Sequence, residues 1–330
     1  ARMIMQGLAM TGDIPFHTVY LHGLIRDEKG RKYSKSLGNA LDPLEVIETY
    51  GTDALRFALV TGSTPGLDTK LSLKRVEAAR NFANKLWNAA RYVLSNLPED
   101  FQMPANDDAL ESLMLCGLEL PDRWILSRQH RLTQEVSHMM GEYQFGEAGQ
   151  HIRDFLWSEY CDWYIEISKQ RLVGQGESAC HTARQVLVYV LERTLRLLHP
   201  FMPFVTEAIW QNMPHKGDAL MMAYWPSAGQ IDGAAEGQME RIIEVIRSIR
   251  NVRAAYKVEP ARRIGALISA GDQVAFYRAH VELLVSQARL APNRLHIEAE
   301  FDAPPQVATV VAGGVTVYLP LAEMLDIAAE

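Results

Sequence analysis

The sequence predicts a mainly α-helical protein: a short α/β segment first, a bundle of helices second and a small α/β module last. Three observations carry this. From Leu73 onwards apolar residues recur at helical spacing through long runs. Short breaks rich in Gly and Pro separate those runs, as in a bundle with tight connections. Beyond a Gly- and Ala-rich joint at Ser227 to Gly237 the texture changes to short β-type runs. No fixed period relates the helices, which disfavours a solenoid of repeats.

In chain order, Met3, Ile4, Leu8 and Met10 read as a helix entered partway, and with no initiator methionine the chain is expected to be a piece of something longer. Thr18 to Gly23 reads as a short buried strand ended by glycine. A ligand at the carboxyl end of such a strand fits an open α/β sheet, so His22 is either a nucleotide-site residue or a structural histidine beside the strand end. Next comes Gly30-Arg31-Lys32-Tyr33-Ser34-Lys35-Ser36-Leu37-Gly38-Asn39, three cations and two serine hydroxyls between two glycines. Lysine brings a mobile point charge, serine a small donor, and glycine lets the backbone approach an anion, so the parts of a phosphate clamp are present without a Walker pattern. Solvated loops share this composition, and composition alone does not choose between the two.

Asp42 and Pro43 read as the cap and first residue of a helix. Two helices are expected from Asp42 to Gly62, punctuated by Gly51, with Leu44, Ile47 and Tyr50 inward on the first and Leu55, Leu59 and Val60 on the second. A long amphipathic helix follows from Leu73 to Leu97, burying Val76, Phe82, Leu86, Ala89, Ala90, Val93 and Leu94. Asp122 to Met140, Phe145 to Leu172, Cys180 to Leu198 and Phe204 to Met213 repeat the spacing, and Trp225 is expected as core or lid. Met239 to Tyr256 reads as a basic amphipathic helix. Strands are expected at Ile264 to Ser269, Leu295 to Glu298, Val307 to Val311 and Val315 to Leu319, with Gly313-Gly314 as a hairpin turn and a further helix beginning at Leu321.

A length of 330 residues at 48% hydrophobic supports a large core and two or three domains. No apolar run is long enough to span a bilayer, and the first residues lack a signal-peptide pattern. Cys116, Cys161 and Cys180 are odd in number and lie far apart, so neither a disulfide framework nor a zinc site is indicated and a reducing cytoplasm fits best. A net charge of −7 gives no global attraction to polyanions, so any RNA contact has to come from local basic faces.

The run Lys32-Tyr33-Ser34-Lys35-Ser36 resembles the Lys-Met-Ser-Lys-Ser signature loop of class I aminoacyl-tRNA synthetases, with Tyr33 in place of the usual methionine. Gly51-Thr52-Asp53-Ala54-Leu55-Arg56-Phe57 and Arg80-Asn81-Phe82-x-Asn84-Lys85-Leu86-Trp87-Asn88-Ala89-Ala90-Arg91-Tyr92 are similar to the valyl-tRNA synthetase family. Asp122-Arg123-Trp124-Ile125-Leu126-Ser127-Arg128, Glu159-Tyr160-Cys161-Asp162-Trp163-Tyr164-Ile165-Glu166 and Leu198-His199-Pro200-Phe201-Met202-Pro203-Phe204 follow in that family's order, almost end to end. Isoleucyl and leucyl relatives share the basic loop and the bundle, whereas the Asn-Lys-Leu-Trp-Asn and Cys-Asp-Trp-Tyr runs favour valyl.

The resemblance implies that residues 1–25 end a Rossmann α/β catalytic domain and 26–75 hold the signature loop and a stem-contact region. Residues 76–227 would form an α-helical anticodon-binding bundle, and 228–330 a small α/β module that precedes a C-terminal coiled coil. The complete enzyme would join valine to its tRNA through valyl-adenylate, with ATP and magnesium. Lys32 and Lys35 would stabilise charge on the departing pyrophosphate, and Ser34, Ser36 and His22 would join them at the ATP site. Asn88, Arg91, Tyr92, Trp163 and Ile165 would form the anticodon surface, where unstacked bases meet aromatic and apolar faces. Trp163 stands in a row of apolar positions and also fits a core place. The His-Ile-Gly-His signature, the amino-acid pocket and the editing insertion are not recognised in these residues, so the chain alone is expected to be inactive, and it is expected to be monomeric. The alternatives are a stand-alone RNA-binding module without catalysis and a helical protein-interaction scaffold.

Overall fold

The computed structural model describes residues 1–34, 38–39, 41–101, 117–174 and 176–324. Lys35, Ser36 and Cys116, singled out above, lie outside the described residues. The chain falls into two compact units, Ala1–Leu94 with Leu132–Trp157 and Leu191–Ala228, and Ser95–Arg131 with Ser158–Val190 and Gly229–Glu330. The helices and the small sheet agree with the fold class read from the sequence.

In the first unit, α1 (Arg2–Thr11) ends on Gly12 at φ 75°, and none of its residues is buried. The strand expected over Thr18 to Gly23 does not form. That stretch takes no regular structure, and the ladder spans only β1 (Ile25–Arg26) and β2 (Thr69–Lys70), which pair in parallel. Side-chain preference is not enough for a strand, which needs a neighbour of matching register, and here the neighbour is the backbone of Gly66–Leu71. The amides of Gly66, Thr69 and Leu71 donate to the carbonyls of Leu21, Leu24 and Arg26. Val19 and Leu21 stay exposed. Gly23 is required there, because a Cβ would stand 1.8 Å from the Leu67 carbonyl oxygen.

Helix α2 (Pro43–Tyr50) begins as its sequence dictates, the Asp42 carboxylate accepting the Leu44 amide at 2.9 Å. Its buried residue is Val46 and not Leu44, which is exposed. Gly51, at φ 89°, opens α3 (Thr52–Val60), which buries Ala54, Phe57 and Ala58 while Leu55, Leu59 and Val60 are half-buried. Helix α4 (Leu73–Ser95) buries the expected stripe of Val76, Phe82, Leu86, Ala89, Ala90 and Val93, adds Ala79, and leaves Leu94 half-buried. The Phe57 and Phe82 rings meet at 5.2 Å between centroids.

The next helices are α5 (Leu120–Gly141) and α6 (Phe145–Asp154). In the first unit α6 packs closely enough that a Cβ on Gly146 would lie 2.4 Å from the Ser63 carbonyl oxygen. Beyond α6 the helix continues through a π-helical stretch, Phe155–Ile165, into α7 (Glu166–Gly174). The sequence reading did not anticipate that widening, since a period of 3.6 cannot describe a π turn. Helix α8 (Glu177–Leu198) and α9 (Pro203–Trp210) complete the bundle. Trp225 is 40% exposed and donates to Ser137 Oγ at 2.8 Å.

In the second unit, α10 (Gly233–Ala255) is capped by Asp232, whose carboxylate accepts the Ala235 amide at 2.9 Å, and it buries Ile242, Ile243, Ile246 and Ile249. The module's sheet runs β4 (Leu290–Glu298), β3 (Ile264–Ser269), β6 (Val315–Pro320), β5 (Val307–Ala312). β3 and β4 are parallel and the other pairs antiparallel. A parallel pair needs a crossover, which α11 (Val274–Ala279) and α12 (Val281–Gln287) supply. Neither helix was expected, because each is too short to show a period. β4 starts five residues before its expected Leu295, since Pro292 and Asn293 mask its β signal. Gly313 and Gly314, at φ 58° and 77°, form the predicted hairpin turn.

Candidate functional site

The chain enters the basic loop through a tight hairpin. Arg26 and Lys32 pair across it, the Gly30 amide donates to the Asp27 carbonyl at 2.9 Å, and Gly30 takes φ 79°, a conformation open to glycine. Asp27, though charged, is buried. Its carboxylate accepts the Arg31 amide at 2.7 Å and Arg31 Nε at 2.8 Å on the arm that enters the loop. It also accepts Asn39 Nδ2 at 3.0 Å from the arm that leaves. Asn39 completes the neck: Oδ1 accepts the Ser34 amide at 3.0 Å, and Nδ2 also donates to the Lys32 carbonyl at 3.2 Å. The hydrogen bond from Asn39, with those from Arg31, holds the Asp27 carboxyl at about 2, below the usual carboxylate range.

Tyr33, at the position of the usual methionine, is half-buried and donates to the Leu71 carbonyl at 3.2 Å. Burial, with the charges of Asp27 and Glu28, raises its phenol above the ordinary value. Below the loop, Arg26 is fixed by Asp68, Nε to Oδ2 at 2.5 Å. The Leu24 amide and Arg26 together keep the Asp68 carboxyl low. Lys32 is exposed, and its backbone is tied on both sides, to Arg26 across the hairpin and to Asn39. His22 is exposed, and its Nδ1 meets the carbonyl of its own neighbour Gly23 at 2.8 Å.

On the second candidate surface, Asn88 and Arg91 are exposed and Tyr92 half-buried in the last turns of α4, beside the 44% exposed Trp87. Lys85, one turn earlier, lies 4.8 Å from the centre of the Trp157 ring. Trp163 and Ile165 are buried, at 4% and 5% exposure. The guanidinium carbons of Arg250 and Arg247 sit 4.9 and 5.6 Å from the centre of the Trp163 ring, in a stack of cations on an aromatic face. As placed, Trp163 and Ile165 offer no face to solvent, because both fall on the inward side of the π-helical stretch.

Sequence reasoning quoted Arg31 and Asn39 only as part of the loop and passed over Asp27. A signal was present: Asp27-Glu28-Lys29-Gly30 places aspartate first and glycine last, the pattern of a tight turn.

Comparison with known proteins shows the family. Residues 1–72 match the family of class I tRNA synthetases (I, L, M and V), and residues 122–268 match the anticodon-binding domain of tRNA ligase. The chain belongs to the class I aminoacyl-tRNA synthetases. Within that class it is homologous over its whole length to valine–tRNA ligases: 43% identical over 333 residues to that of Bacillus cereus, 45% over 332 to that of Carboxydothermus hydrogenoformans and 41% over 338 to that of Bacillus subtilis. In each case all of this chain is matched, and it spans 37% of the relative's length. Among solved structures, a LeuRS of Agrobacterium radiobacter K84, in a ternary complex with tRNA and LeuAMS, shares the fold over 71% of this chain and 27% of its own, with a TM-score of 0.53 and 21% identity.

Proposed function

We propose that this chain is the part of a valine–tRNA ligase that supplies the ATP-facing signature loop and the surface that holds the anticodon of valine tRNA. The complete enzyme would convert valine and ATP to valyl-adenylate and pyrophosphate, then transfer the valyl group to the tRNA end. Displacement at the α-phosphate develops negative charge on the departing pyrophosphate, and positioned cations lower that barrier. Lys32 and Lys35 take this role, with Ser34 and Ser36 as hydrogen-bond donors and His22 at the edge of the nucleotide site. Magnesium enters with the nucleotide as part of the substrate, and no residue of this chain is assigned to it. Asn88, Arg91 and Tyr92 are assigned to the anticodon surface on exposed and half-buried positions of the first unit; Trp163 and Ile165 of the second unit are assigned with them, and a base would meet the Trp163 ring where Arg247 and Arg250 give way. We place the domain boundaries near residues 25, 75 and 227, and take the protein to be a cytoplasmic monomer.

The observation that supports this reading most is the neck of the loop. A buried carboxylate that ties the entering arm to the leaving arm fixes the backbone at Arg31, Ser34 and Asn39 before substrate arrives, the kind of support that catalysis by preorganised charge requires. The test is valine-dependent exchange of pyrophosphate into ATP by the complete protein. Exchange supported by valine and not by leucine is expected, and no exchange with valine would overturn the reading.

A further inference from the structure

We infer that Asp27 and Asn39 act together as a latch at the neck of the signature loop, as positioning residues for the step that attacks ATP; the inference rests on the proposed function above. Neither side chain has a part in the chemistry. What they do is join three pieces of backbone: the Asp27 turn, the entering arm at Arg31, Lys32 and Ser34, and the leaving arm at Asn39. The entering arm is held by the Arg31 amide and Nε on the Asp27 carboxylate. The leaving arm is held by Asn39 Nδ2 on that same carboxylate. Asn39 then crosses the neck, accepting from the Ser34 amide and donating to the Lys32 carbonyl. The latch therefore fixes the backbone of Lys32 and Ser34, the described cation and hydroxyl of the loop, relative to Asn39.

The chemistry of each position is narrow. Asn39 must present one acceptor to an N–H and one donor group to a carboxylate and a carbonyl. An amide does this in one orientation only, since the flipped amide would set oxygen against oxygen and N–H against N–H. Aspartate at that position would bring a second carboxylate against Asp27, and alanine would leave the Ser34 amide and the Lys32 carbonyl unjoined. Asp27 must be an acceptor for three N–H groups at once, which a carboxylate satisfies and an amide does not. A misplacement of about 1 Å in a positioned group costs on the order of a hundredfold in rate, so a slack neck is expected to reach the chemistry through the loop it holds.

The test uses the complete protein with Asp27→Ala, Asn39→Ala and the double variant, measuring single-turnover formation of valyl-adenylate against ATP concentration. Each single variant is expected to lower the rate at saturating ATP by roughly ten- to a hundredfold, with valine affinity close to wild type and the fold retained at the assay temperature. Because the two residues act as one unit, the double variant should be no slower than the worse single one. Single variants at the wild-type rate would overturn the latch, as would single effects that multiply in the double variant. So would loss of valine affinity and of the fold at the assay temperature in step with rate, which marks general unfolding. A wild-type protein without valine-dependent exchange would instead overturn the function on which the latch rests.

Discussion

Arg171 sets one amino group of its guanidinium on both carboxylate oxygens of Asp122, 2.7 Å from each, with 3% and 0% of the two side chains exposed. The Tyr164 hydroxyl donates to the same carboxylate at 2.6 Å, and burial together with Asp122 raises that phenol well above its ordinary value. A buried pair of this kind adds little over an apolar filling, but breaking it strands a charge. Asp122→Ala should therefore cost about 3–5 kcal/mol, read by urea unfolding of the chain. A loss below about 1 kcal/mol would show that the pair is solvated in solution.

In the complete protein, Lys35→Ala should slow valyl-adenylate formation by roughly a hundredfold or more, as for loss of one preorganised donor at developing charge, with valine binding nearly unchanged. Tyr33→Met should be close to neutral for rate, since the phenol spans to a backbone carbonyl outside the basic residues. Pre-steady-state activation rates check both.

Ile165→Asp should unfold the second unit and not merely weaken RNA binding, because it puts a carboxylate at a site 5% exposed. A loss of more than about 4 kcal/mol is expected. A folded, RNA-deficient Ile165→Asp variant, by circular dichroism and titration, would place Ile165 at a surface after all.

Asp27 titrates near 2 in the folded chain against an ordinary 3.8. The unfolded chain therefore takes up the proton first on acidification, and the stability that Asp27 contributes is complete above the unfolded value and lost as pH falls through the folded one. The difference in melting temperature between wild type and Asp27→Asn should be level from about pH 5 to pH 8 and shrink below about pH 4. A difference that changes between pH 6 and 8 would assign it to another group.

The long helices, the Asp42 cap and the Gly313-Gly314 turn were legible because each rests on local chemistry: a repeated apolar stripe, one capping carboxylate, two residues able to take positive φ. The strand at Thr18 to Gly23 failed because pairing is decided by a distant segment, Gly66 to Leu71, whose spacing the sequence does not reveal. The helices at Val274 and Val281 were missed for their shortness, although the parallel pairing of β3 with β4 demands them. At the site, the cations of the loop were visible as a composition, whereas the Asp27–Asn39 neck joins residues twelve apart, through one side chain buried by its own partners. Trp163 carried an aromatic signal without a direction, and only the packed structure shows Arg247 and Arg250 lying over it.

The most direct measurement is a fluorescence anisotropy titration of this chain with valine tRNA and with the same tRNA carrying a different anticodon, at two salt concentrations. The chain is acidic, so its hold on RNA should rest on few phosphate contacts and a salt slope of magnitude below about 3. A stacked base is worth about 1–3 kcal/mol, so the swapped anticodon and the Tyr92→Ala variant should each weaken binding by roughly five- to a hundredfold or more. Equal affinity for both RNAs, with Tyr92→Ala indistinguishable from wild type, would contradict the anticodon assignment.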